Sequence, residues 1–194
     1  ASVIKEKEAN GLPCVLGLAT GSSPISVYNQ LVKLHREEGL SFKNVITFNL
    51  DEYYGLEPKD INSYHFFMRE NLFDHIDIPS ENINIPSGII EAIKVRDYCK
   101  AYEKKIADLG GLDFQLLGIG RTGHVGFNEP GSNINSQTRL VSLDHLTRYD
   151  AAGAFHGIEN VPSKAITMGI KTILSAKRIV LLAWGINKSE IIHK

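Results

Sequence analysis

Cysteine is scarce in this chain: of 194 residues only Cys14 and Cys99 are cysteine. They form no C-x-x-C pair, which excludes a disulfide scaffold and a paired-cysteine metal or redox motif. Cys14 opens an apolar run and Cys99 falls on the apolar side of a helical pattern, so both read as core thiols. An excess of charge is also lacking. With 21 basic and 22 acidic residues the formal net charge is -1, so the whole-chain field makes no case for nucleic acid or an anionic membrane and leaves room only for a local basic pocket. No apolar run approaches the roughly 18 residues of a membrane span, and no charged-then-apolar leader opens the chain, so the expected compartment is the cytoplasm. The seven histidines, His35, His65, His75, His124, His145, His156 and His193, are dispersed. They include no helical His-x-x-x-His pair and have no cysteine partners, so no metal site is expected.

What is present suits an ordinary globular protein, with enough chain for one sizeable domain. The chain begins at Ala1 without an initiator Met and stops at Lys194 within a helical pattern that opens at Ile186. A single domain over 1–194, incomplete at both ends, is therefore expected.

Cys14 to Ala19 is a continuous apolar run of strand length, which suits a strand buried on both faces of a parallel sheet. Beyond it, Ile25, Tyr28, Leu31, Val32 and His35 recur at helical spacing. Ser23 is the expected cap, Pro24 the first helical position and Gly39 the stop. Val45 to Phe48 reads as a second strand and 63–75 as a helix. Val95, Cys99, Tyr102 and Ile106 mark one face of another helix, ended by Gly110-Gly111. Further strands are expected at 114–119, 165–168 and 178–184. Alternating strands and helices imply right-handed crossovers, hence an α/β fold: a Rossmann-like open, mostly parallel sheet with helices on both faces. Ligands of such sheets sit beyond the carboxyl ends of the strands, which directs attention to the loops there.

Three loops stand out. Thr20-Gly21-Ser22-Ser23-Pro24 joins a buried strand to a helix. Small residues and amides at a helix N-terminus suit an anion such as phosphate, and suit a plain tight turn equally well. It lacks the Gly-Lys-Ser/Thr ending of a nucleotide-triphosphate loop. In Asn49-Leu50-Asp51-Glu52-Tyr53-Tyr54-Gly55 the adjacent carboxylates face opposite ways from an extended backbone, so one enters a cleft while the other salt-bridges or meets solvent. A carboxylate among aromatic rings can serve as a general base, while a solvated acidic turn is the plainer alternative. The third loop, Gly118 to Ser132, opens as G-x-G-x-x-G with Asp144 about 20 residues on, the outline of a dinucleotide fingerprint. That fingerprint should open a helix, and Gly126, Pro130 and Gly131 prevent one. The loop does hold His124 and Glu129, an imidazole with a carboxylate to orient it, although a lone loop histidine can also be purely structural.

Together the segments 17–24, 48–53, Ser63-Tyr64, 118–132 and Thr138-Arg139 resemble the glucosamine-6-phosphate deaminase family across essentially the whole chain. Its most specific element is Gly123-His124-Val125-Gly126-Phe127-Asn128-Glu129-Pro130. The resemblance implies conversion of glucosamine 6-phosphate and water to fructose 6-phosphate and ammonia, without metal or organic cofactor. It implies Asp51 as the base that moves a proton between C2 and C1, His124 as the group that opens the pyranose ring, and Glu129 as its orienting partner. Gly21, Ser22, Ser23 and Lys188 are implied to hold the phosphate. A small-molecule sugar phosphate is the implied partner, with neither nucleic acid nor membrane, and a homo-oligomer is the implied assembly.

Two departures from the family pattern bear on chemistry. Thr122 stands where the family carries Asp, so an imidazolium at His124 loses one charged neighbour. The family's phosphate-contacting arginine falls at or near Gly153, leaving Arg121 and Arg148 as candidate replacements. Val141 stands where allosteric members carry a basic residue. These changes keep two alternatives open: a hydrolase like the related 6-phosphogluconolactonases, or a sugar-phosphate-binding domain without catalysis.

Overall fold

The computed structural model describes residues 1–193, and Lys194 lies outside them. Five strands form the central sheet: β1 (Cys14–Leu18), β2 (Val45–Asn49), β4 (Ile83–Asn84), β5 (Phe114–Gly118) and β8 (Ile179–Leu182). Their spatial order is β4-β2-β1-β5-β8, and every neighbouring pair is parallel. Strand order reverses about β1, so the crevice between the carboxyl ends of β1 and β5 is the topological switch point.

The apolar run at β1 is continuous because both its faces are covered. Cys14, Leu16 and Leu18 pack with Tyr28 of α2 (Ile25–Glu38) and Met68 of α3 (Tyr64–Asn71), together with Ile4 of α1 (Ser2–Ala9). Val15 and Ala19 pack on the other side with Tyr102 and Ile106 of α4 (Val95–Asp108) and with Ile173 of α6 (Ile170–Leu174). Both cysteines are buried, and desolvation pushes each thiol up to about 11, as core thiols require. At the centre Gly17 permits close packing, since a Cβ there would lie 2.0 Å from Gln115 Oε1.

The structure corrects three local expectations. Helix α2 begins at Ile25 behind Pro24, whose backbone is already helical, so Ser23 does not cap it. Pro24 itself occupies the boundary position and no side chain caps the helix, which leaves Ser23 in the loop. The helix expected over 63–75 ends at Asn71, and a 3-10 turn, Phe73–His75, follows it after the non-helical Leu72. The strand expected at 165–168 is not in the parallel sheet. As β7 (Lys164–Thr167) it centres a separate antiparallel sheet, β3-β7-β6, with β3 (Asp51–Tyr53) and β6 (Arg139–Ser142).

Leu50 alone separates β2 from β3. Its N–H donates to Leu18 in the large sheet and its carbonyl accepts from Met168 beside the small one. The small sheet thus closes over the carboxyl end of the large one. Helices α5 (His145–Ala151) and α7 (Ser189–His193) complete the described chain. No helix among the described residues is long and apolar enough to cross a membrane.

Candidate active site

The crevice at the switch point is a cleft of about 380 Å³ that brings together all three loops. Gly21, Ser22 and Ser23 line one end, with Lys188 beside them. Gly21 has φ +92, which turns the chain sharply out of β1. The loop is pinned on both flanks: the buried Tyr28 hydroxyl donates to the Ala19 carbonyl, and Trp184 Nε1 donates to the Ser23 carbonyl at 3.0 Å. Lys188 Nζ donates to the Ile119 carbonyl at 2.7 Å, which fixes the ammonium at the cleft wall.

Asp51 and Glu52 diverge as an extended backbone demands. Asp51 lines the cleft and is only 5% exposed. Burial, followed by the charge of Glu52, pushes its carboxyl up to about 8. Glu52 neither meets solvent nor enters the cleft. It is fully buried and accepts from the backbone N–H groups of Tyr53, Tyr64 and His65 at 2.8, 3.0 and 3.0 Å, and its Oε2 lies 2.9 Å from His65 Nδ1. Ser63 caps the same helix end by accepting from Phe66 N at 3.0 Å. A buried negative charge on amides at a helix N-terminus is favourable, so Glu52 ties α3 to the strand that carries Asp51. Tyr53 packs against Tyr64 and Phe127, with ring centroids 5.1 and 5.3 Å apart, and these three rings form the apolar wall beside Asp51.

The Gly118–Ser132 loop forms no helix. Its downstream half is tied to the small sheet. Phe127 N donates to Thr167 Oγ1 at 3.1 Å, Asn128 Nδ2 donates to the Met168 carbonyl at 2.8 Å, and Asn128 Oδ1 accepts from Arg139 at 2.9 Å. These bonds aim His124 into the cleft with Glu129 behind it: Nδ1 lies 3.2 Å from Glu129 Oε1 and 2.9 Å from Thr122 Oγ1. Gly126 (φ +58) passes so close to Asp51 that a Cβ would sit 3.0 Å from its Oδ2. At Gly120 a Cβ would lie 2.1 to 2.4 Å from the His124 ring. Gly120→Ala is therefore expected to expel the imidazole from its seat and lower kcat by about 10- to 100-fold, the usual consequence of a small misplacement. A thermal melt within a few degrees of the parent, beside steady-state kinetics, checks that the loss is local.

The candidate arginines fare differently. Arg121 lines the cleft and pairs with Asp150 at 3.0 Å. Arg148 does not reach it, because its Nη2 donates to the carbonyls of Ile158 and Val161 and so serves the fold. The sequence reading missed α5, which contributes Thr147, Asp150 and Ala151 to the cleft. The signal was Asp144, which caps α5 by accepting from Leu146 N at 2.8 Å. Among the described residues no group of three or more His, Cys, Asp or Glu could hold a metal ion.

A family model described as glucosamine-6-phosphate isomerases/6-phosphogluconolactonase matches residues 1–194. The glucosamine-6-phosphate deaminase 1 of Bacillus subtilis is 50% identical over 194 residues, which cover 100% of this chain and 78% of that protein. A glucosamine-6-phosphate deaminase-like protein of Bacteroides thetaiotaomicron is also 50% identical over 194 residues, but this chain spans only 29% of its length. Among solved structures, one described as a monomeric glucosamine-6-phosphate deaminase matches with a TM-score of 0.93 at 49% identity, covering 99% of this chain and 77% of the other.

Proposed function

Because the chain belongs to the family of glucosamine-6-phosphate isomerases and 6-phosphogluconolactonases, we propose that it is a deaminating aldose-ketose isomerase, one domain over residues 1–194 that converts glucosamine 6-phosphate and water to fructose 6-phosphate and ammonia. The observation that carries this reading is the shared cleft, lined by Asp51, His124, the Gly21–Ser23 loop and Lys188 together. A phosphate dianion is held there by loop amides, hydroxyls and the lysine, which fixes the sugar so that one carboxylate reaches C2. Arg121 is the second cation of the pocket, turning from Asp150 to the phosphate.

The steps are proton transfers followed by hydrolysis. His124 takes the O1 hydroxyl proton and returns it to the ring oxygen, opening the pyranose. Asp51 removes the C2 proton while O1 takes a proton from the substrate's ammonium, leaving an enolamine, and Asp51 then delivers its proton to C1. The resulting C2 imine adds water and loses ammonia, leaving the ketone. An enolisation of this kind requires a base that can both take and return a proton near neutral pH, which suits a carboxyl raised to about 8. The apolar wall of Tyr53, Tyr64 and Phe127 excludes water from the enolamine face.

The test is ammonia release from glucosamine 6-phosphate by a coupled assay, with hydrolysis of 6-phosphogluconolactone measured beside it. Turnover of the lactone alone would assign the hydrolase, and calorimetric binding without turnover would leave a sugar-phosphate-binding domain. Since only ionised Asp51 can act as base, kcat/KM is expected to climb with pH with its midpoint at about pH 8. A limb that is complete by about pH 6 would contradict so large a rise of the Asp51 carboxyl.

A further inference from the structure

On the Nδ1 side of His124, Thr122, Glu129 and Thr147 form a closed hydrogen-bond cluster. Thr122 Oγ1 lies 2.6 Å from Glu129 Oε2 and 2.9 Å from His124 Nδ1. The Thr147 hydroxyl, 18 residues further along on α5, donates to Glu129 Oε1, the same oxygen that lies 3.2 Å from His124 Nδ1. A threonine hydroxyl has one proton, and a carboxylate accepts but cannot donate. The Thr122 proton is therefore committed to Glu129, and toward His124 the Thr122 oxygen can only accept. The hydrogen between them must belong to the ring, on Nδ1, which leaves Nε2 bare.

We propose that Thr122 and Thr147 are positioning residues that lock His124 in the Nδ1–H tautomer: Thr122 passes the acceptor character of Glu129 on to the ring, and Thr147 holds the carboxylate in the one orientation that allows it. Thr122 so recovers, through a hydroxyl, part of what a carboxylate at that position would do directly. An ionised aspartate in place of Thr122 would have no proton to give Glu129, and two carboxylates would face each other. With threonine there, Glu129 carries the negative charge alone and receives two hydroxyl donors. Because Thr147 lies on α5 between the cleft and Glu129, the helix that walls the sugar also sets the ring. The proposal rests on His124 acting in ring opening, as read above, but the tautomer is a property of the ligand-free protein and is measured without substrate.

The experiment is a side-chain proton–nitrogen correlation spectrum of the ligand-free protein above the imidazole titration, with His124 assigned by its loss in His124→Gln. The Nδ1–H pattern is expected in the parent. Thr122→Val and Thr147→Val, which remove the hydroxyl at nearly constant volume, should each introduce a second, Nε2–H population. Each should also lower kcat about tenfold with KM changed less than about twofold, the range seen for partners that orient catalytic ligands. Thr122→Ser and Thr147→Ser should keep the parent tautomer and most of kcat. An Nε2–H ring in the parent overturns the proposal, as does an unchanged tautomer and kcat in both valine variants. If a valine variant fails to fold, the parent spectrum and the serine variants still decide. A parent with the Nδ1–H ring and no ammonia release would sink the proposed function while leaving the lock in place.

Discussion

Asp51→Asn is expected to lower ammonia release by at least about a thousandfold, the scale of losing a positioned general base, while calorimetry still detects a phosphorylated sugar. Asparagine keeps the shape of the side chain and leaves the Gly21–Ser23 loop and Lys188 untouched, so binding and turnover separate. The same substitution should stabilise the fold. The carboxyl of Asp51 titrates at about 8 in the folded chain against an ordinary value of 3.8. The folded form therefore holds its proton more tightly than the unfolded form does, and between about pH 4 and 8 the stability of the parent falls as pH rises. The amide of the variant does not titrate, so this dependence disappears. The variant's melting temperature should exceed that of the parent by an amount that grows toward about pH 8 and is constant above it. Differential scanning calorimetry at about pH 5 and pH 9, on either side of the folded titration, reads the difference. A variant that is equally stable or less stable at both pH values would contradict the buried, strained carboxylate. A site that gains stability when its chemistry is removed is a familiar sign of function.

Glu52→Gln reverses that balance and should be the most damaging single change to the fold among those considered. Glu52 receives three backbone amides and the His65 ring. Gln can accept with only one of its two terminal atoms and turns an NH2 toward donors, leaving buried groups unsatisfied at a cost of about 3–5 kcal/mol. For a chain of this size that is a fall of about 6–15 °C in Tm. The loss of charge also relieves Asp51, since Glu52 is the second cause of its raised pKa. The acid limb of kcat/KM should then move to lower pH in the protein that remains folded. A variant with parental Tm and an unmoved limb would show that Glu52 neither holds α3 nor bears on the base.

Much of this architecture could be read directly from the chain. The apolar run at Cys14–Leu18 declared a strand with two covered faces, and Gly126, Pro130 and Gly131 ruled out a helix after the G-x-G-x-x-G segment. Asp51, His124 and Glu129 stood out as candidates, but the residues alone left an acidic turn and a structural histidine open, and only the family resemblance implied their roles. The small sheet was less accessible, because its three strands begin at Asp51, Arg139 and Lys164, and no local pattern announces pairing across such separations. Asp51-Glu52-Tyr53 resembles an acidic turn until its backbone partners are known. Thr147 had no signal as a partner of Glu129, since that contact exists only once α5 folds against the loop. Ser23 was misread as a cap because capping preference was weighed without the constraint that Pro24 places on the helix start.

The single-residue link at Leu50 has a mechanical consequence. The Gly21–Ser23 loop extends from β1 in the large sheet, whereas Asp51 rides on the small sheet and the His124 loop is bolted to that sheet through Phe127 and Asn128. On the proposed function the two sheets act as the jaws of a vice, one for the handle of the sugar and one carrying the base and the imidazole. A slight change in the seating of one jaw on the other would carry base and imidazole together, preserving their mutual spacing while altering which carbon they meet. In such an arrangement substrate length and reaction chemistry can vary independently, the first at the joint and the second in the side chains carried by the small sheet.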